Sequence, residues 1–218
     1  MRFYNIDGEV NNYHLLSKIG GGSYSRVYML SPFQCIKIFR ELDNGINYED
    51  VDFINSLNLD NFYKIYSLLF NKTGIFRGYT MKYYIPIYES IFLKSSEYTL
   101  DNFYSIEKSI DILSKHNIFI PDLHSDNVVL GKDEITVIDT DIYSKAMLFD
   151  NDKLSMRNKR ALFNLFRMIY IDNLCSYHYY NDNDIGIINN LFDFDNPSKV
   201  KVLMKYKYPI DYIKDMRK

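Results

Sequence analysis

The chain has 218 residues, 47% hydrophobic and 25% charged, a composition typical of a globular domain with a sizeable core. Its formal net charge of -2 excludes a global attraction to nucleic acid or anionic membrane, and its two cysteines cannot form a disulfide framework. We find no signal peptide and no apolar stretch that could span a bilayer, so we expect a cytoplasmic protein that binds neither membrane nor nucleic acid.

The N-terminal part of the chain is predicted to be rich in strands. Short β-type runs bounded by turn residues predict five of them: His14–Ile19, Ser25–Leu30, Phe33–Phe39, Tyr63–Phe70 and Phe76–Tyr84. One helix is predicted among them at Tyr48–Leu57, because Asn47 is a suitable N-cap and acidic residues occupy the first turn.

From Thr99 the pattern becomes helical, with Thr99 or Asp101 as the N-cap. Four apolar residues at i, i+3, i+7 and i+10 form one stripe: Phe103, Ile106, Ile110 and Leu113. A hairpin of Val128–Leu130 and Ile135–Ile138 follows. Beyond Ser155 a second helix is predicted, with an apolar face of Ala161, Leu162, Leu165, Phe166 and Ile169. A β-rich part followed by a helix-rich part predicts an α+β fold of two lobes.

A glycine-rich turn is the strongest local signal, and residues 19–28 read Ile-Gly-Gly-Gly-Ser-Tyr-Ser-Arg-Val-Tyr. Gly20 and Gly22 would let a hairpin backbone bring its N–H groups close to phosphate oxygens, and Val27 would cover a flat base. No Gly-Lys-Ser/Thr follows, so this is not a Walker loop, and the next element is a strand, so it is not a dinucleotide fingerprint. A plain hairpin turn is the alternative.

Lys37 stands among apolar residues of a predicted strand. It is either an edge-strand residue that prevents aggregation or a cation held inside a cleft. A buried lysine needs a carboxylate partner. Asp50 shares the inward face of the next helix with Ile54 and is the first choice, and its neighbour Glu49 is the second.

Two Asp-rich turns flank the predicted hairpin. Residues 121–127 read Pro-Asp-Leu-His-Ser-Asp-Asn, and residues 138–141 read Ile-Asp-Thr-Asp. Oxygen ligands from two such turns can converge and hold Mg²⁺. A single Asp-rich turn is usually a solvated loop, so Asp126 and Asp141 are expected to be solvated, with contact to a second metal as the alternative for Asp141.

Taken in order, these motifs resemble those of the protein-kinase superfamily. The glycine-rich turn is similar to that family's Gly-x-Gly-x-x-Gly-x-Val loop, with Ser25 replacing the third glycine. Lys37 stands where the family has the lysine of Ala-Ile-Lys. Residues 61–66 resemble the stretch after the family's αC helix, and the spacing from it places Asp50 at the ion-pair glutamate.

The resemblance continues into the second half of the chain. Residues 79–84 are similar to the gatekeeper and hinge, with Met81 as the gatekeeper. Asp122 and Asn127 keep the Asp-x-x-x-x-Asn spacing of the catalytic loop, and Asp139 takes the place of the aspartate of Asp-Phe-Gly.

Several departures from the family pattern are informative. Ile120 and Pro121 replace the His-Arg that precedes the catalytic aspartate, and neither the Phe-Gly after Asp139 nor an Ala-Pro-Glu motif is present. Control through a phosphorylated activation loop is therefore not expected. His124 stands where protein kinases carry lysine. A histidine at this position makes the motif similar to that of aminoglycoside and choline phosphotransferases.

The resemblance implies one kinase-like domain over residues 1–218. Residues 1–84 would be a small β-rich N-lobe with one αC helix, 85–98 the hinge and linker, and 99–218 a reduced helical C-lobe. The implied activity is that of a serine/threonine-protein kinase, a transferase that moves the γ-phosphate of ATP to a protein hydroxyl. A small-molecule phosphotransferase is the alternative, and a non-catalytic nucleotide-binding module is the third hypothesis.

The resemblance also implies a role for each site residue. Those that would bind ATP are Ile19, Gly20, Gly21, Gly22, Ser23, Tyr24, Ser25, Val27, Cys35, Lys37, Met81, Lys82, Tyr83 and Tyr84. Lys37, steadied by Asp50 or Glu49, would neutralise the phosphates, and Asp122 would take the proton of the acceptor hydroxyl. Asn127 and Asp139 would hold Mg²⁺, with Mn²⁺ as a substitute. His124 would contact the γ-phosphate or be a hydrogen-bonded loop histidine.

The C-terminal segment has a local excess of positive charge. From Lys199 onward it carries seven Lys or Arg residues and two Asp. A solvated helix face is the simpler interpretation, and docking of an acidic partner or of nucleic acid is the alternative.

Overall fold

The structure, a computed structural model, describes residues 3–5, 8–10, 16–40, 46–84, 100–131, 134–146, 150–176, 181–193, 199, 202 and 209–218. His14, Thr99 and the linker predicted at 85–98 lie outside the described residues. The described residues fall into two compact units, one within 1–59 and 63–84 and the other within 60–62 and 85–218. Antiparallel sheet and helices occur together, which agrees with the predicted α+β class.

The first unit is built on a seven-stranded antiparallel sheet in the order β2-β1-β6-β7-β5-β4-β3. Its strands are β1 (Phe3–Asn5), β2 (Gly8–Val10), β3 (Lys18–Gly20), β4 (Ser25–Ser31), β5 (Gln34–Phe39), β6 (Ile65–Phe70) and β7 (Phe76–Lys82). Four of the five predicted strands are present with shifted ends, and of the predicted strand His14–Ile19 only Lys18 and Ile19 lie in β3. Strands β1 and β2 were not predicted. Three residues are too few to show an alternating pattern.

The middle of this sheet is held by apolar side chains that alternate along its strands. Ile36 and Ile38 of β5 are buried together with Leu69 of β6, and Tyr28 and Leu30 of β4 pack against them. Because successive side chains of a strand point to opposite faces, Lys37 lies on the other face of β5.

Helix α1 (Tyr48–Ser56) follows the first five strands, and Asn47 is its N-cap, as predicted. The Asn47 side chain accepts a hydrogen bond of 3.0 Å from the backbone N–H of Glu49. The side chain of Asn55 fixes the helix to β6, because it donates to the carbonyl of Ile65 at 3.3 Å and accepts from its N–H at 3.0 Å.

The second unit is mainly helical. Its elements are α2 (Leu100–Lys115), β8 (Ile118–Phe119), β9 (Val128–Leu130), β10 (Ile135–Val137), β11 (Ser144–Lys145), α3 (Asn151–Ser176), α4 (Asp182–Leu191) and α5 (Pro209–Met216). The predicted stripe of α2 is buried, and its Phe103 meets Phe163 and Phe166 of α3 edge to face at 5.3 and 5.0 Å. Asp101 lies inside the first turn of α2, so its prediction as the N-cap was wrong.

Asn158 of α3 is a fully buried polar residue that the sequence interpretation missed. Its side chain accepts from the N–H of Ile120 at 3.0 Å and donates to the carbonyl of Ile118 and to the Ser114 hydroxyl, both at 2.9 Å. One amide thus ties α2, α3 and β8 together immediately before residues 121–127. The available signal was a polar residue at i+4 from Leu154, on the apolar face of the helix.

Strands β9 and β10 form the predicted antiparallel hairpin. Two asparagines fix it to α2: Asn61 donates to Asn102 and to the carbonyl of Ile135, each at 2.9 Å. The oxygen of Asn102 also accepts from the N–H of Ile135 at 3.1 Å, and the N–H of Val137 donates to the carbonyl of Asn61 at 2.7 Å. Both ends of β10 are therefore held in place.

Candidate active site

The glycine-rich turn joins β3 to β4, and Gly20 pairs with Val27 across the ladder. The glycine that the backbone itself requires is Gly21, which has φ 131°, and a Cβ there would lie 2.6 Å from the carbonyl oxygen of Ser25. A Cβ on Gly22 would meet nothing within 4 Å. Gly22 is therefore exposed and its position would accept a side chain, whereas Gly21 is needed to close the turn.

Lys37 is 2% exposed and lies on β5, between β4 and β7 in the interior of the sheet. The edge-strand explanation for this lysine is therefore wrong. Its Nζ lies 6.0 Å from the ring centroid of Phe39 and 5.9 Å from that of Tyr79. Aromatic faces attract a cation but do not neutralise it, so this position suits a lysine that meets an anion.

The two carboxylates considered as partners of Lys37 differ in their surroundings. Asp50 is half-buried on α1, beside buried Val51 and on the face that carries buried Ile54. Glu49 is exposed, and the Tyr48 hydroxyl donates to it at 3.4 Å. Asp50 is therefore the better placed of the two, and the ion pair with Lys37 stays a prediction.

The residues expected at the hinge follow the buried end of β7. Met81 is 7% exposed and pairs with Cys35. The N–H of Lys82 donates to Lys64 and the N–H of Tyr83 donates to Phe33, so neither amide can donate to a ligand. Burial raises the pKa of the Cys35 thiol to about 11, although nearby Lys37 lowers it in part. Cys35 is thus a neutral apolar residue.

The strongest cluster in the second unit surrounds Asp122, whose side chain is 47% exposed. Nε2 of His124 lies 3.0 Å from its Oδ1, and Nδ2 of Asn127 donates to its Oδ2 at 3.3 Å and to its backbone carbonyl at 3.0 Å. Both carboxylate oxygens are therefore oriented by neighbours while the group stays open to solvent. The structure brings together three of the predicted site residues here.

The hydrogen bonds of His124 define its role. His124 is the N-cap of a 3₁₀ turn over Ser125–Asn127, and its Nδ1 accepts from the backbone N–H of Asp126 at 3.2 Å. An Nδ1 that accepts leaves the ring proton on Nε2, which lies 3.0 Å from Oδ1 of Asp122. Of the two interpretations of His124, the geometry favours the hydrogen-bonded loop histidine.

Asp139 begins a second 3₁₀ turn, Thr140–Ile142, directly after the hairpin. The N–H of Ile138 donates to the carbonyl of Asn127 at 2.8 Å, so Asn127 and Asp139 lie at the same end of the hairpin, as predicted. Asp139 has φ 59° and ψ 42°, a left-handed conformation. The other non-glycine residues with positive φ in the described part of the chain are asparagines. Because strained backbone conformations cluster at functional sites, Asp139 is a candidate functional residue.

Tyr143 was not predicted as a site residue. It is 1% exposed, and burial raises its pKa, which the carboxylates of Asp122, Asp139 and Asp141 raise further. All three aspartates therefore act electrostatically on the Tyr143 side chain. The expectation that Asp141 is solvated was wrong, because it is 6% exposed, whereas Asp126 is exposed as predicted.

The described residues contain no group of three or more His, Cys, Asp or Glu side chains that could hold a metal by themselves. This is compatible with Mg²⁺, which is commonly held by one or two protein oxygens together with substrate phosphates and water. Asn127 fits such a role, because its Nδ2 is engaged by Asp122 and its oxygen is in none of these hydrogen bonds. Asp139, at the same end of the hairpin, supplies a carboxylate.

The described basic residues of the C-terminal segment pair with acids of the same chain. Lys199 contacts Asp193 at 2.8 Å, and Arg217 forms an ion pair with buried Asp184. Lys214 and Lys218 pair with aspartates three residues away. This arrangement favours the interpretation as a solvated face. Among the described helices, none is long and apolar enough to cross a membrane.

No protein-family model matches the sequence, and a comparison with curated proteins found no match.

Proposed function

We propose that the protein is an ATP- and Mg²⁺-dependent phosphotransferase that moves the γ-phosphate of ATP to a hydroxyl acceptor, and that its two units correspond to the lobes of a kinase-like fold. The observation that carries the proposal is the carboxylate of Asp122. It is exposed to solvent, yet both of its oxygens are oriented, by His124 and Asn127. A solvated loop aspartate does not need two oriented partners.

In this proposal Asp122 binds the acceptor hydroxyl and takes its proton as the phosphoryl group is transferred. A carboxylate is a sufficient base, because in a loose transition state the proton leaves late. The positioning of the Asp122 carboxylate therefore contributes more to the transfer than its strength as a base. The fixed geometry of residues 122–127, anchored behind by Asn158 through Ile120, supports that role.

Asn127 and Asp139 are the residues that would hold Mg²⁺. The amide oxygen of Asn127 and the carboxylate of Asp139 supply the hard oxygen ligands that this ion prefers. When bound, the metal neutralises charge on the phosphate oxygens during transfer.

In the first unit, the open turn at Gly22 and the buried ammonium of Lys37 are suited to phosphates. The resemblance to kinases assigns both to the same nucleotide. Lys37→Met is accordingly expected to weaken ATP binding.

The acceptor we propose is a serine or threonine hydroxyl of a protein, because the glycine-rich turn, the lysine and the hinge fit that branch of the superfamily best. A small hydroxylated molecule is the second candidate. The observation that favours it is the contact of His124 with Asp122, since His124 stands where protein kinases carry lysine.

Phosphate transfer from γ-labelled ATP tests the proposal. The purified protein is incubated with Mg²⁺ and, separately, with generic protein substrates and a panel of hydroxylated metabolites and aminoglycosides. Label on protein supports the first acceptor, and label on a small molecule supports the second. ATP binding, seen as an upward shift in Tm, without transfer to any acceptor would instead support a non-catalytic nucleotide-binding module.

A further inference from the structure

The hydroxyl of Tyr143 is a buried polar group without a hydrogen-bond partner in the described part of the chain. The residue is 1% exposed, so bulk water does not solvate that hydroxyl. A buried donor without a partner destabilises a folded protein, and such groups are rare. Its presence beside the candidate active site therefore needs an explanation.

The surroundings of this hydroxyl are rich in hydrogen-bond acceptors. Asp122, Asp139 and Asp141 are near enough to act on it electrostatically. An ionised carboxylate only accepts hydrogen bonds, and none of the three accepts one from this hydroxyl. A small polar group could bridge the gap between them.

Tyr143 is also held firmly by its backbone. Its N–H donates to the carbonyl of Thr140 at 3.0 Å, and the next two residues form β11, which pairs with β8. The N–H of Ala146 donates to Asn117 at 2.7 Å. The backbone on both sides of Tyr143 is thus fixed and its side chain is buried, so a partner has to come to the hydroxyl.

We propose that Tyr143 is a positioning residue, whose hydroxyl donates a hydrogen bond to a water molecule of the hydrated Mg²⁺ held by Asn127 and Asp139. This inference rests on the proposed function and deepens it. Mg²⁺ loses its waters reluctantly and keeps several of them in protein sites. Groups that hydrogen-bond the ligands of a metal fix their orientation and tune its affinity.

The test is Tyr143→Phe, which removes only the hydroxyl. Without ligand, the variant is expected to unfold at a higher urea concentration than the wild type, because an unsatisfied buried donor is gone. In saturating ADP, its Kd for Mg²⁺ is expected to rise about tenfold. Neither measurement depends on turnover.

Tyr63→Phe is the matched control. Tyr63 is also buried, but its hydroxyl donates to that of Tyr79 at 3.1 Å. Loss of a satisfied hydroxyl should lower the urea midpoint of the free protein and leave the Kd for Mg²⁺ unchanged.

Three results would overturn the inference, and they are distinguishable. If free Tyr143→Phe is less stable than the wild type, the hydroxyl has a structural partner. If Tyr143→Phe binds Mg²⁺ in ADP as tightly as the wild type does, the hydroxyl does not act on the metal site. If the wild type itself binds no Mg²⁺ with ADP, the proposed function fails, and this inference fails with it.

Discussion

Both ring nitrogens of His124 are engaged, Nε2 by Asp122 and Nδ1 by the backbone of Asp126. The motif alone left two roles open, because a sequence does not reveal which ring nitrogen meets which neighbour. The contacts favour the loop role and add a function to it, the orientation of the carboxylate that we propose as the base.

His124→Ala is therefore expected to lower kcat about tenfold, because one of the two groups that position Asp122 is lost. KM for ATP should change little. His124→Gln is the control, since a glutamine amide can both donate and accept as this tautomer does. Steady-state kinetics measures all three proteins. Equal kcat values for the wild type and His124→Ala would contradict the positioning role.

Cys35 gives a pH dependence of stability with a defined sign. The folded protein holds the thiol proton up to about pH 11, whereas an unperturbed thiol loses it near pH 9.0. Above pH 9.0, unfolding therefore releases a proton, and the free energy of unfolding falls as the pH rises. Below pH 9.0 the thiol is protonated in both the folded and the unfolded protein, and its full contribution to the free energy of unfolding is present.

Urea unfolding of the wild type and Cys35→Ala at about pH 8 and about pH 10.5 checks this dependence. Alanine cannot ionise, so the difference in stability between the two proteins should shift in favour of Cys35→Ala at the higher pH. The other titrating groups are common to both and cancel. A difference that stays constant with pH would contradict the assignment.

At the scale of elements, the hydrophobic periodicity of the sequence predicted the longer helices and strands. The stripe of α2, the apolar face of α3 and the main strands were found from the sequence because each is long enough for a pattern to repeat. Strands β8 and β11 have two residues each and no pattern. Helix α4 was missed among Asn and Asp residues, although Asn181 and Asp184 form a capping box that the sequence displays.

Asn158 is the residue through which α3 supports the candidate site. Asn158→Ala should lower the free energy of unfolding by about 2–3 kcal/mol, because it leaves buried groups of Ile118 and Ile120 without partners. Asn164→Ala, an exposed position on the same helix, is the control and should change stability by less than about 0.5 kcal/mol. Urea denaturation measures both, and equal effects would show that the buried amide is not needed.

At the scale of the whole molecule, the sequence predicted a β-rich part followed by a helical part, and the described residues form two compact units of these kinds. In the second unit it also predicted that Asn127 and Asp139 lie at one end of a hairpin. It could not predict the burial of Tyr143 and Asp141, because both depend on how the second 3₁₀ turn packs in the folded protein. Spacing ranked Asp50 above Glu49 as the partner of Lys37, and the half-buried position of Asp50 agrees with that order.

The most direct test compares Asp122→Asn with Asp126→Asn. Asp126 is exposed on the same loop and gives the same loss of charge. Transfer of the γ-phosphate from labelled ATP and binding of MgATP are measured for each protein. We expect Asp122→Asn to lose transfer at least about 100-fold while it still binds MgATP, and Asp126→Asn to keep both. Transfer by Asp122→Asn at the rate of the wild type would contradict the account.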